Sequence, residues 1–160
     1  MTRVRAGEYL LHPAVPIAIA VLVINDHLLK DAFSSWWTGK LSDVAGMVFF
    51  PLILAGLLDV GAHLFGRGLS ERGRRRLVIA AVVMTGVVFA AIQVSPPIAT
   101  VYRYGLGAIQ WPVHAVVSFA SGGGIPGLHP VAHTADPSDI LAMPALLIPL
   151  AIGLRRSGEK

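Results

Sequence analysis

Apolar residues in this chain come in long runs, and most of the polar ones are gathered between the runs. The pattern is neither the alternation of a half-buried strand nor the narrow stripe of a surface helix. A helix rises 1.5 Å per residue, so about 20 apolar residues cross a roughly 30 Å hydrocarbon layer. Runs of that kind predict spans over about 13–30, 41–65, 77–94 and 137–155. Pro51 stands inside the second and is expected to bend it near Met47 to Pro51. The third, with Thr85 and Gln93 as its polar interruptions, reads most cleanly, and Ser95-Pro96-Pro97 ends it. Residues 98–120 are only mildly apolar and contain Arg103, Gln110, Pro112 and His114, with Tyr102, Tyr104 and Trp111 of the headgroup-seeking kind. They predict an amphipathic segment, interfacial or re-entrant. The SGGGIPGLHP stretch that follows reads as a flexible loop. The predicted fold is all-α: a polytopic membrane helix bundle of four transmembrane helices plus that segment.

Composition narrows the picture. Hydrophobic residues make up 54% and charged residues 14% of 160, with a mean hydropathy of +0.68. Soluble domains are about one-quarter charged. The length suits one integral membrane domain over 1–160. Cysteine is absent, which excludes disulfides and thiolate metal sites. The net charge of +4 would suggest nucleic acid only if it lay on one soluble face.

It does not lie that way. Arg3, Arg5, Arg67, Arg72, Arg74, Arg75, Arg76, Arg155, Arg156 and Lys160 fall on one side of the four-span arrangement, and Lys30, Lys40 and Arg103 on the other. The positive-inside rule then predicts a multi-pass cell-membrane protein with cytoplasmic N- and C-termini. The RGRRR run is a topology signal beside anionic lipid, and nucleic acid is not an expected partner. Arg3 and Arg5 imitate a signal peptide, but no small-residue cleavage site follows, so the first segment is expected to remain as an anchor. No internal repeat is evident, which weighs against an inverted-repeat transporter.

The stretch WTGKLSD, Trp37 to Asp43, contains Gly39-Lys40 but lacks the upstream glycine and following hydroxyl of a phosphate loop. Thr38 or Ser42 is expected to cap the second helix, with Asp43 complementing its dipole. Asp136-Pro137-Ser138-Asp139 likewise has the order of a helix start. Asp26 differs, because a carboxylate near a helix C-terminus opposes the dipole. Lys30, four residues on, is placed to pair with it. Asp59 and His63, with Arg67 near, suggest an anchor at the opposite membrane face. His129 and His133 suit a solvated loop better than a metal site.

Five of the nine acids fall on the predicted outer side. A polar site is therefore expected there, with Asp26, Asp43 and Lys40 as its catalytic candidates. Asn25, Lys30, Ser42, Arg103, Asp136 and Asp139 are its binding candidates. Helix 1 would pack against the starts of helices 2 and 4, with Gly46 allowing close approach.

The blocks NDHLLK (25–30), TGKLSDVAG (38–46) and ADPSD (135–139) resemble those of a group of small bacterial multi-spanning membrane proteins, and that resemblance brings no assigned activity. A looser similarity is to VanZ-like membrane proteins, whose Asp-Lys-x-x-His pattern is not reproduced because His27 follows Asp26.

Three functions remain. One is action on, or binding of, a lipid or lipid-linked phosphate, with carboxylates holding a divalent cation and Lys30, Lys40 and Arg103 facing phosphate. Another is a non-catalytic accessory or assembly subunit, with a membrane-protein partner or a second copy of itself. The third is a cation or proton transport module. The lipid bilayer is a partner in all three.

Overall fold

The computed structural model describes residues 6–33 and 35–155. Arg3, Arg5, Arg156 and Lys160, which entered the charge count, lie outside the described residues. Among the described residues there is no strand. A 3-10 turn at Glu8–Leu11 precedes α1 (Ala14–Ile24), which continues through a π-helical turn at Asn25–Leu29 into Lys30–Ala32. Then come α2 (Trp36–Leu64), α3 (Glu71–Val94) and α4 (Pro96–Ala120). A 3-10 helix at Pro137–Leu146 leads into α5 (Leu147–Arg155).

Three helical stretches are long and apolar enough to cross a membrane: Trp36–Leu64, Glu71–Val94 and Pro137–Arg155. The α1 helix has 11 residues, about 16 Å, and approaches spanning length only with its π turn and the Lys30–Ala32 extension.

Several predicted boundaries move, each for a local reason. The second helix begins at Trp36, not Leu41, because Ser35 rather than Thr38 or Ser42 is its N-cap. Ser35 and Thr38 form a capping box in which the Thr38 hydroxyl accepts from the Ser35 N–H. Asp43 therefore lies two turns inside the helix, too deep for the dipole explanation. The α2 helix runs unbroken through Pro51. The third begins at Glu71, where Ser70 accepts from the Gly73 N–H, so Arg72 to Arg76 are helical. Asp136 is a cap as expected, its carboxylate accepting from the Ser138 N–H at 2.8 Å.

The chain divides into two compact units, Met1–Val87 with Asp139–Lys160, and Val88–Ser138. In the first, Val15 and Ala18 of α1 are buried, as are Ala45, Leu52 and Ala55 of α2 and Val78, Ala81 and Val82 of α3. Several of these are alanine, whose small side chain lets helices approach closely. Gly46 is not among the close contacts; a Cβ there would meet open space. The tight positions are Gly56 against Leu10, Gly86 against Leu146 and Gly153 against Val78. Outward-facing residues such as Ile17, Leu57, Leu58, Val83, Met84 and Val87 give this unit an apolar exterior.

Asp59 is 1% exposed, and its described partners are Gly7 and Arg74. One carboxylate oxygen accepts from the Gly7 N–H at 3.0 Å, and both accept from Arg74 Nε at 3.1 Å. Gly7 has φ +76°, a left-handed turn that glycine adopts at little cost, and it brings that N–H onto α2. The pair ties the first turn, α2 and α3 together. Removing its charge takes a buried counter-charge from a guanidinium with little exposure, so Asp59→Asn is expected to lower stability by about 3 kcal/mol. Unfolding of the detergent-solubilised protein measures this; a loss under about 1 kcal/mol would mean that solvent screens the pair.

Candidate functional site

The polar end of the first unit is built in two linked parts. At the first, α1 meets the start of α2. Asn25 is fully buried and donates to the Thr38 carbonyl at 2.5 Å and the Ser42 hydroxyl at 2.7 Å. Ser42 in turn donates to Asp26 at 2.6 Å, and Lys30 pairs with the same carboxylate oxygen at 2.7 Å. The order is Thr38 carbonyl, Asn25 amide, Ser42 hydroxyl, Asp26, Lys30. Asp26 and Lys30 are some 40% exposed, so their ion pair is screened and worth little alone. Its value is positional: it holds Asp26 against Ser42. The π turn at Asn25–Leu29 breaks the regular helical spacing where these side chains begin, and such turns recur at functional sites.

The second part is the Lys40 cluster, where α2 meets the 3-10 helix before α5. Lys40 is 8% exposed and pairs with Asp139. Its ammonium also lies 5.5 Å from the centre of the Trp36 ring, within cation–π range. Asp43, one turn on from Lys40, is within hydrogen-bonding reach of Asp139 and in the fields of Lys40 and Lys30. The lysine that begins the second apolar run is thus a buried counter-charge, and two carboxylates surround it.

The remaining predicted residues belong to the second unit. Arg103 of α4 donates from Nε to the Val131 carbonyl at 3.0 Å, and the Val131 N–H returns a bond to the Arg103 carbonyl at 3.1 Å. The Asp136 N–H donates to Gln93 Oε1 at 3.0 Å. His133 contacts the Ile92 carbonyl at 3.2 Å and the Tyr102 ring edge-on at 5.6 Å. The stretch read as a flexible loop lies along α4. Trp111 Nε1 donates to the Pro126 carbonyl at 2.8 Å and Ser118 to the Gly124 carbonyl at 2.8 Å. At Gly107 the His129 carbonyl comes so close that a Cβ would collide with it. A cavity of about 390 Å³ remains between helix and loop, with Gln110, Trp111, His114 and His129 in its wall.

The structure therefore joins Asn25, Asp26, Lys30 and Ser42 in one network and gathers Lys40, Asp43 and Asp139 beside it. The described bonds of Arg103 and Asp136 are to Val131, Gln93 and Ser138. Among the described residues no group of three or more histidine, aspartate or glutamate side chains is placed to hold a metal ion. Sequence reasoning missed Trp36 as a neighbour of Lys40, and it missed the covered stripe of α4. The spacing Arg103, Gly107, Gln110, Trp111, His114, Ser118 carried the latter signal, a polar face at helical period that needs a covering segment. Comparison with known proteins returns no match: no protein-family model fits the sequence, and neither a curated protein nor a solved structure matches it.

The Lys40–Asp139 pair has a direct test. Lys40→Met removes the ammonium from beside Asp139 and is expected to cost about 3 kcal/mol, whereas Lys40→Met with Asp139→Leu recovers most of it. Unfolding measurements on both variants decide; a double variant no more stable than the single would show that Asp139 is not the main partner.

Proposed function

We propose that this chain is a four-span integral membrane protein with both termini cytoplasmic, and that its polar cluster lies at the extracytoplasmic surface. There it takes up one positive charge, a proton or a cation, as a binding or transport module. In this arrangement α1 with its π turn is the fourth span. The α4 segment lies along the outer interface with Tyr102, Tyr104 and Trp111 at headgroup depth, which spares Arg103 and His114 the hydrocarbon.

The observation that carries this reading is a charge imbalance. Among the described contacts Asp26 stands with Lys30, while Asp43 and Asp139 both stand beside Lys40, so carboxylates outnumber ammonium groups there. Ionisable groups at the edge of a span are functional candidates by default, because structure alone seldom justifies their desolvation. The lipid-phosphate reading is less well supported, since Lys30 and Lys40 already face carboxylates and a phosphate would have to displace them. A second reading, an accessory subunit, draws on the same contacts: they tie α1, α2 and the segment before α5 together, as a structural brace would.

Two experiments test the proposal. Because the chain has no cysteine, single cysteines at positions 35, 73, 125 and 158 report topology. An impermeant thiol reagent is expected to label 35 and 125 in intact cells, and 73 and 158 only after permeabilisation; outside labelling of 73 would overturn the topology. Calorimetric titration of the purified protein with acid and with chloride salts is expected to detect one saturable uptake. Asp43→Asn should abolish it and Glu71→Gln, exposed at the start of α3, should leave it intact. Absence of uptake in the wild type, with stoichiometric copurification of a second membrane protein, would favour the subunit reading.

A further inference from the structure

The run Arg72-Gly73-Arg74-Arg75-Arg76 is one uniform positive patch in the sequence, and the fold divides it. Arg74 turns inward and is held by Asp59. Arg72, Arg75 and Arg76, spaced i, i+3, i+4 in the first turns of α3, share the opposite face and are exposed. Arg67, which follows α2 through the left-handed turn at Gly66, is exposed too. Among the described residues none of these four guanidinium groups has a hydrogen bond, ion pair or ring contact. The arrangement is unfavourable on its own: Arg72 and Arg76 repel across one helical turn, and cations near a helix N-terminus oppose the dipole. Glu71 is the single acid between Gly66 and Leu77. Beside the arginines, Leu64 and Phe65 at the end of α2 are 78% and 86% exposed. A soluble anion would answer the charge and leave that apolar pair in water, whereas a lipid surface answers both.

We propose that the turn between α2 and α3 is a binding surface for anionic phospholipid, with Arg67, Arg72, Arg75 and Arg76 on headgroup phosphates and Leu64 and Phe65 in the acyl layer beside them. The inference rests on the spanning reading of α2 and α3, not on charge uptake. Of the helices long and apolar enough to cross a bilayer, one ends at Leu64 and the next begins at Glu71. The turn that joins two such spans stands at headgroup depth. A guanidinium matches phosphate oxygens with a fork of two hydrogen bonds, and a basic segment beside a span gains about fivefold in affinity per arginine from an anionic surface. Arg74 takes no part, being committed to Asp59.

The test uses the full chain in neutral detergent at about pH 8, above the range in which histidine ordinarily titrates, with phosphatidylglycerol or phosphatidylcholine titrated into the micelles. Bound lipid is read by native mass spectrometry, together with the thermal unfolding midpoint. Phosphatidylglycerol is expected to bind about tenfold more tightly or better, and about 1 M salt to remove most of the difference. Arg72→Gln should weaken it about fivefold, and Arg72→Gln, Arg75→Gln and Arg76→Gln together about a hundredfold. The triple variant should keep its midpoint in lipid-free detergent, since it relieves repulsion. Arg74→Gln should do the reverse, lowering the midpoint and keeping the lipid preference. Equal binding of the two lipids, or a preference that survives the triple substitution, in a chain that still requires detergent, would overturn this inference and leave the spans intact. A chain that stays monodisperse without detergent would overturn both. Inorganic phosphate that raises the midpoint as far as phosphatidylglycerol does would overturn the lipid in favour of a soluble anion.

Discussion

A lysine buried at the beginning of an apolar helix constrains everything near it. Lys40 cannot keep its charge in a buried position without a carboxylate at hand, and Asp139 provides one from a segment far along the chain. That requirement sets the approach of the segment before α5 to the start of α2. It also brings Asp43 towards Asp139, since Lys40 and Asp43 are one turn apart on α2. The Asp59–Arg74–Gly7 contact does the same work towards the other end of α2, binding the first turn and α3 to it. With charge pairs towards both ends, the middle of the unit is left to small apolar residues such as Ala45, Ala55 and Ala81, which set helix separation without adding specificity of their own.

The polar cluster is asymmetric in a useful way. Its exposed ion pair, Asp26 with Lys30, contributes little energy but fixes a hydroxyl and an amide. Its buried pair, Lys40 with Asp139, anchors the fold and leaves Asp43 as the surplus acid. The oxygens of such a cluster have positions set by other contacts, so the cluster is preorganised.

The second unit solves a different problem. A helix with arginine, tryptophan and serine on one face needs acceptors for those donors, and the loop backbone supplies carbonyls at Val131, Pro126 and Gly124. Gly107 matters here because any side chain at that position would lift His129 and the loop away from α4. The composition that suggests flexibility, SGGGIPG, is what permits such close backbone approach.

Local physics made much of this protein legible without coordinates. Apolar runs of spanning length predict the all-helical class and the approximate places of the three long apolar helices, because burying backbone in lipid permits little else. The start at Asp136-Pro137 was legible too, since a cap involves only neighbours in sequence, and so was the Asp26–Lys30 pair at one helical turn. Ser35 as the cap of α2 was within reach of the same logic, but Thr38 and Ser42 offered equal candidates. What the tertiary structure alone decided are the partners that come from afar: Asp139 for Lys40, Arg74 and Gly7 for Asp59, Ser42 for Asn25, and the loop carbonyls for Arg103 and Trp111. Sequence shows that a buried charge or amide needs a partner; which residue answers depends on how helices pack, and spacing along the chain carries no record of that.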